Sequence, residues 1–456
     1  MQGVVHTTEE IQMKAIHFAA ALIVCAGAAA HAQDYDNTLG NPGLNGSYTV
    51  GFEMYDDGTG ESFYTTGQFS IPGASGGSNI ARWDGSAWQP VGGGLVGQYS
   101  NAIKAYNGDL IAAGYFDSAG GVAGTEKLAR WDGTQWNSMD ALSASFLNSM
   151  WDLEVWDDGT TGEQLYIAGN YVGLNGQTGL DHIAKWDGST YTPVGGTIGG
   201  AVPLIVLDLH VSSVDGTEKL YAGGRFLTIG GVAALNVAAW DGSQWTDLDS
   251  GLTRTSGFTQ VLHMTTWDDG SGTALYVGGR FNIAGGNPVS TNVAKWDGTS
   301  WSSMGDGFDA DVQELVVFDD GTGEALYAMG NFNNSGATPV SRIAKWNGSS
   351  WEAVGDGTNN TIFGGGVFDY GDGPALVLGG SFTTADGLSS SKVASILSAP
   401  ACIADLTGDG MLDFFDVSAF LNAYNAMDPA ADLTGDGMYN FFDVSTFLNA
   451  YNAGCP

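Results

Sequence analysis

Residues 405–416 read DLTGDGMLDFFD, and residues 432–443 read DLTGDGMYNFFD. Each run sets oxygen-bearing side chains at positions 1, 3, 5, 9 and 12, with glycine at position 6. Carboxylate, hydroxyl and amide oxygens are hard donors. A loop that bends sharply at a glycine can wrap such donors around Ca²⁺. Two copies side by side predict two Ca²⁺ loops, working where Ca²⁺ is plentiful, outside cells.

The rest of the chain holds few groups with recognisable reactive spacing. His182, His210 and His263 lie in different repeat units at non-equivalent positions, and no pair has metal-ligand spacing. No nucleophile elbow, phosphate loop or dinucleotide fingerprint occurs. A carboxylate pair for glycoside cleavage leaves no local motif, so the acidic residues keep that chemistry open. No catalytic residue and no organic cofactor site is assigned.

The scaffold for these groups is a long repeat between residues 34 and 398. Its clearest piece is IARWDGSAW at 80–88, which recurs around Trp131/Trp136, Trp186/Tyr191, Trp240/Trp245, Trp296/Trp301 and Trp346/Trp351, with a degenerate copy ending at Ile396. The spacing is close to 50 residues. About 15 residues upstream of each Trp stands a second hallmark, such as LYAGGRF at 220–226 and LYVGGRF at 275–281. Acidic turns come earlier still: Asp56-Asp57-Gly58, Asp157-Asp158-Gly159, Asp268-Asp269-Gly270 and Asp319-Asp320-Gly321. Each unit therefore holds four short β-runs divided by Gly/Asp turns, and there are seven units. Four strands per repeat at this period predict a mainly β fold, a seven-bladed β-propeller. The last unit stops before a fourth strand. Residues 35–40 resemble that missing strand and are expected to complete the seventh blade, leaving no open sheet edge.

These marks, a Gly-Gly pair ending one strand and then two aromatics (Gly223-Gly224, Trp240 and Trp245; Gly278-Gly279, Trp296 and Trp301), resemble the kelch-like propeller family. The recurring Trp residues are expected to pack between blades. Arg82, Arg130, Lys185, Lys295 and Lys345 precede the repeat aromatic, and Arg225 and Arg280 follow Gly-Gly. Such repetition predicts an architectural role, pairing with acids of a neighbouring blade. The acidic turns are read as tight turns, with Ca²⁺ binding as the alternative. Longer loops at 282–290 and 332–340 are the expected ligand-binding rim.

Behind each Ca²⁺ loop, Val417, Phe420, Leu421 and Tyr424, and then Val444, Phe447, Leu448 and Tyr451, have helical spacing. No helix precedes either loop. A duplicated loop-plus-helix of this size resembles a dockerin, the module that attaches secreted polysaccharide-degrading enzymes to cohesins. The ending Gly454-Cys455-Pro456 is similar to dockerin-like modules of planctomycete-type secreted proteins. The resemblance implies that Asp405, Thr407, Asp409 and Asp416 ligate one Ca²⁺, and Asp432, Thr434, Asp436 and Asp443 the other. Met411 and Met438 would supply backbone carbonyls, and Asp413 and Asn440 would act through water. Positions 10 and 11 are Phe414-Phe415 and Phe441-Phe442, where dockerins often show small hydroxylated residues.

Lys14, the apolar run 18–30 and Ala30-His31-Ala32 read as a secretory signal over 1–32, with 1–12 an upstream extension. No other apolar run is long enough to cross a membrane. The formal charge of −36 disfavours nucleic acid and anionic membranes as partners. Only Cys402 and Cys455 remain after the signal. They bracket the loops, and in an exported protein they are expected to pair, closing a loop worth roughly 4 kcal/mol. The domain plan is therefore signal 1–32, propeller 33–398, linker 399–400 and Ca²⁺ module 401–456. The leading expectation is a secreted or surface-bound, non-catalytic binding or scaffold protein. Its propeller would take a carbohydrate or protein ligand, and its tail would dock to a cohesin-like or anchoring partner. The alternatives are an extracellular carbohydrate-active enzyme, and a C-terminus read as a sorting signal.

Overall fold

A computed structural model describes residues 35–74, 76–139, 149–200, 203–370, 373–398, 403–407, 411–434 and 437–454. The signal region 1–32, the linker 399–400, Asp409, Asp436, Cys402 and Cys455 lie outside the described residues. The chain divides into two compact units, one over 34–319 and 323–398 and another that includes 399–456. The first is β-structure and the second carries two helices.

Among the described residues the β unit contains seven four-stranded antiparallel sheets. The first is made of Asn45–Asp56, Glu61–Ser70, Ser78–Trp83 and Trp88–Pro90, in that order from inner to outer strand. The inner strands of the next six are Leu95–Tyr106, Met150–Trp156, Ile205–Ser212, Gln260–Asp268, Val312–Asp319 and Ile362–Asp369. Each inner strand contacts the next, and that of the seventh sheet contacts that of the first. The seventh sheet takes its outer strand, Tyr35–Asp36, from the start of the β unit, with Tyr35 opposite Ile396.

The second strands are buried on both faces, which explains their nearly unbroken apolar runs, such as QLYIAG in Gln164–Gly169. The turn from third to outer strand is set by its Asp. Asp84 Oδ1 accepts from the backbone N–H groups of Ser86 and Ala87, and Gly85 takes φ +92°. The Trp residues flanking that turn pair directly across strands, as Trp83 does with Trp88 at a ring distance of 5.3 Å.

One interaction repeats in every sheet. The second aromatic donates a hydrogen bond to a backbone carbonyl of the preceding sheet's exit: Trp88 to Leu39 at 2.7 Å, Trp136 to Val91 at 3.4 Å, Tyr191 to Met139 at 2.8 Å and Trp245 to Val194 at 3.4 Å. The series continues with Trp301 to Leu248 at 2.9 Å, Trp351 to Met304 at 3.1 Å and Tyr35 to Val354 at 3.1 Å. Tyr35 thus fills the position of the second aromatic in the seventh sheet, and the series closes on itself. A buried carbonyl needs a donor, so these aromatics both fill space and satisfy backbone between sheets.

A second repeated device stands at or just before the start of the third strand of each sheet: a residue with positive φ. The seven are Asn79, Lys127, His182, Asn236, Asn292, Arg342 and Lys392. This conformation is uncommon outside glycine. The asparagines repay it by reaching the next sheet, as when the Asn79 amide donates to the Leu95 carbonyl at 2.9 Å. His182 belongs to this structural series.

In the C-terminal unit, α1 (Phe414–Ala426) and α2 (Phe441–Ala453) follow their loops as the apolar spacing predicts. Phe420 and Phe447, equivalent in the two copies, stack at 4.2 Å with planes 7° apart and are 1% exposed. Val417, Leu421, Tyr424, Val444, Leu448 and Tyr451 pack around that pair. No helix among the described residues is long and apolar enough to cross a membrane.

Candidate functional site

In each C-terminal loop the position-12 carboxylate is the hub. Asp416 is fully buried, and its Oδ1 accepts from the Thr407 N–H at 3.0 Å and the Thr407 hydroxyl at 2.8 Å. Its Oδ2 accepts from the Asp413 N–H at 2.9 Å. The Thr407 hydroxyl also lies 3.2 Å from Asp405 Oδ1, so positions 1, 3 and 12 gather their oxygens. The second loop repeats this: Thr434 N–H and hydroxyl meet Asp443 Oδ1 at 3.1 and 2.9 Å, and the Asn440 N–H meets Oδ2 at 2.8 Å. Gly437, at position 6 with φ +74°, turns its N–H onto Asp432 Oδ2 at 2.8 Å. The bonds from Asn440 and Thr434 hold the Asp443 carboxyl below its usual range. Asp413 and Asn440 have a further role: each side chain caps its helix, accepting from Phe415 at 2.7 Å and Phe442 at 2.8 Å.

This donor set fits Ca²⁺. Residues 401–456 contain eight Asp and no Lys, Arg or His. Two of these carboxylates are fully buried, so no side-chain cation of the same segment balances them. The oxygens brought together are hard donors, and Met411 and Met438 leave their side chains more than half exposed, with their main chains within the loops. Asp405, Thr407, Asp416 and the Met411 carbonyl would hold one ion, and Asp432, Thr434, Asp443 and the Met438 carbonyl the other. Beside each loop Phe414, Phe415, Phe441 and Phe442 are 64–75% exposed, a large apolar display for so small a unit.

In the β unit the acidic turns are occupied by their own structure. Asp56 Oδ1 accepts from Gly58 and Gly60 N–H groups, both at 2.9 Å. Asp57 accepts from the Tyr64 hydroxyl and pairs with Arg82. Asp158 with Lys185, and Asp269 with Lys295, repeat that pairing. These pairs lie within one sheet, as does Arg130 with Asp109, which corrects the expectation of pairing between neighbouring units. The register explains it: Arg82 stands opposite Tyr64, whose ring leads back to the turn beginning its own sheet. Arg280 does cross, binding Asp311 with two nitrogens, and Arg225 and Arg280 lie over Phe258 at 4.8 and 4.4 Å. The loops at 282–290 and 332–340 form similar two-strand hairpins, Ile283–Ala284 with Asn287–Pro288 and Asn334–Ser335 with Thr338–Pro339. They are repeated elements of the β unit.

A charged group on the inner strands escapes the sequence reading. Asp152, Asp208, His263 and Glu314 occupy one register position on four successive sheets, opposite Ala168, Gly223, Gly278 and Met329. Glu53, Lys104, Glu154 and His210 stand two residues further along their strands. His263 Nε2 lies 2.9 Å from Glu314 and 4.0 Å from Asp208, and Lys104 lies 3.2 Å from Glu154. Asp152 Oδ2 accepts the Leu209 N–H at 2.7 Å, and His263 Nδ1 accepts that of Leu315 at 3.2 Å. These side chains thus cap the open edge of the next inner strand. Burial raises Asp152 and Glu53 to about 7, and Asp208 well above the carboxylate range. Burial opposes charge on His263, but Glu314 and Asp208 outweigh it and raise the imidazole to about 9; only the neutral ring accepts the Leu315 N–H at Nδ1, and protonation gives up that bond. Burial lowers His210 to about 3. The equivalence of His263 with the carboxylates of the other units emerges from strand register, which the linear repeat does not contain.

No family model matches the chain, and no curated protein matches it. Among solved structures, two of the extracellular domain of BT4673 from B. thetaiotaomicron are similar over 81% of this chain and 40% of theirs, at 10% identity and TM-score 0.46. The computationally designed Ika8 protein is similar over 78% of this chain and 97% of its own, at 12% identity and TM-score 0.39. The chain therefore spans about 40% of the BT4673 domain it resembles.

Proposed function

We propose that this is a secreted or surface-held binding protein: a closed seven-bladed, kelch-like propeller presenting a ligand site, anchored by a dockerin-like module that binds two Ca²⁺. The observation that carries the reading is the paired loop geometry, in which buried Asp416 and Asp443 collect the oxygens of positions 1 and 3 in a segment without basic side chains. The series of seven inter-sheet hydrogen bonds supports the propeller. The exposed Phe pairs support docking, and with eight Asp around them they suit a partner with an apolar pocket rimmed by basic groups. A Cys402–Cys455 bridge would close the module.

The test uses the producing cells. Washing them with a chelator should release the full chain from the surface. The Asp409→Ala/Asp436→Ala double variant should appear in the medium without chelation. Retention in both cases would sink the anchoring role. The second reading, a carbohydrate-active enzyme, is favoured by one observation, the carboxyl groups on the inner strands. New reducing ends from a polysaccharide panel would establish it.

A further inference from the structure

We propose that the β unit binds a neutral carbohydrate at the end where its seven inner strands begin, stacking it on the partly exposed rings of Tyr48, Tyr99, Trp151 and Phe363. The proposal rests on the reading of the β unit as a binding module, names the ligand class and is independent of the C-terminal loops.

Near its start every inner strand carries a β-bulge at the same register position. The residue before each bulge is fully buried, as Thr49, Met150 and Ile362 are. The extra residue differs in type from sheet to sheet: Val50, Asn101, Trp151, Leu207, Gln313 and Phe363 are among the seven. A bulge bends its strand and re-aims a side chain. A variable residue in a constant frame is the mark of a binding position, because packing positions repeat. Four successive sheets, the seventh, first, second and third, set an aromatic ring here. Tyr48 lies 5.3 Å from Phe363, and Tyr99 lies 6.5 Å from Trp151. Burial and the neighbouring Tyr99 push the Tyr48 hydroxyl up to about 12, so the two pairs adjoin. All four rings are partly exposed, and Phe258, before the fifth inner strand, is 42% exposed. Ser149, Ile205, Gln260 and Thr361 stand in other sheets where Tyr48 and Tyr99 stand in theirs, so these tyrosines are outside the recurring set that packs the sheets.

Charge and hydrogen-bonding type select the ligand. The chain carries a formal charge of −36, yet residues 45–50, 96–101, 149–151, 203–207, 258–262 and 359–363 contain no Asp, Glu, Lys, Arg or His. In the sixth sheet Asp311 is buried and bound by Arg280. The acidic turns lie at the other end of the same strands. An uncharged, aromatic end in so acidic a protein favours an uncharged ligand. Gln98 and Asn360 are exposed, and Gln260 and Gln313 partly so. Side-chain amides both donate and accept. A sugar hydroxyl does the same, and the C–H face of a sugar ring lies flat on an aromatic ring. A proline-rich peptide also fits an aromatic groove, but it offers mainly carbonyl acceptors and leaves the amide oxygens unmatched. A cavity of about 490 Å³ at the opposite end is walled by Phe63 and Trp83, which are 1% and 5% exposed and present no open ring face.

The experiment is calorimetric titration of the full chain in saturating Ca²⁺ with cellohexaose, xylohexaose and mannohexaose. Hexagalacturonate serves as the anionic sugar and decaproline as the peptide, and tryptophan emission is recorded in parallel. At least one neutral hexasaccharide should bind, and hexagalacturonate should bind at least about tenfold more weakly. Tyr99→Ala and Trp151→Ala should each weaken sugar binding about tenfold or more. Trp151→Phe keeps an aromatic face and guards against misfolding of the alanine variants. It should retain binding within about threefold and lose most of the emission change that the sugar causes. Sugar binding untouched by the alanine variants, an emission change untouched by Trp151→Phe, or tighter binding of hexagalacturonate would overturn the proposal. Binding of decaproline alone would overturn it too, while upholding a binding module. Silence of all five ligands would count against both. The Ca²⁺ loops are untouched by either failure, because chelation tests those separately.

Discussion

Tyr35→Phe removes a single hydroxyl from the series of seven inter-sheet hydrogen bonds. Tyr35 is 8% exposed and donates to Val354 at 3.1 Å. The ring stays, so apolar burial is unchanged. What is lost is one bond, with a buried carbonyl left unpaired, at a cost of about 1–2 kcal/mol. Tyr35→Ala also empties a place in the core shared with Val354 and Ile396, and should cost about 3–5 kcal/mol. For a unit of roughly 360 residues, unfolding entropy near 2.1 cal/mol/K per residue turns these into shifts of about 2 and about 4–7 °C. Urea unfolding of the full chain in Ca²⁺ resolves such differences. Tyr191→Phe is the matched control, since it loses the same bond to Met139 inside the chain. If the sheets close through Tyr35, the terminal and interior variants should lose similar stability. A neutral Tyr35→Phe beside a costly Tyr191→Phe would refute closure.

Further predictions concern pH and the C-terminal core. Asp152 and Glu53, raised to about 7, hold protons in the folded state that the unfolded chain has released, so stability should fall as pH rises from about 4 to 7. His263, raised to about 9, adds stability that is complete below about 6.5 and lost as pH rises through 9. The turn carboxyls Asp84, Asp187, Asp241 and Asp297, held near 2, act oppositely and add stability that is lost on strong acidification. His210, lowered to about 3, opposes this by adding stability as pH rises to about 6.5, so urea midpoints should decline from about pH 6.5 to 9, and midpoints that rise there would contradict the inner-strand assignment. Phe420→Ala should cost about 3–5 kcal/mol, comparable to the whole stability of so small a unit, and should abolish the helical circular dichroism of the C-terminal segment while leaving β unfolding unchanged. Intact helices in that variant would show that the Phe420–Phe447 stack is not their core.

The strands, their turns and the two loop-helix copies were legible because each rests on local chemistry: Asp and Gly at turns, apolar runs in second strands, oxygen spacing in loops. The role of residues 35–40 was legible because Tyr35 repeats the second-aromatic position. Pairing partners were not. Arg82 meets Asp57 because of strand register, which a linear pattern does not contain. The inner-strand group was hidden because Asp152, Asp208, His263 and Glu314 differ in type and stand about 50–56 residues apart, and only the stacking of sheets brings them together.

The most direct measurement of the account is Ca²⁺ stoichiometry on the exported full chain, by equilibrium dialysis with a chelated control. The account predicts two ions per chain, release of both by chelator with loss of helical signal, and none bound by the Asp416→Ala/Asp443→Ala variant. Helices that persist unchanged in chelator, with no Ca²⁺ retained, would contradict it.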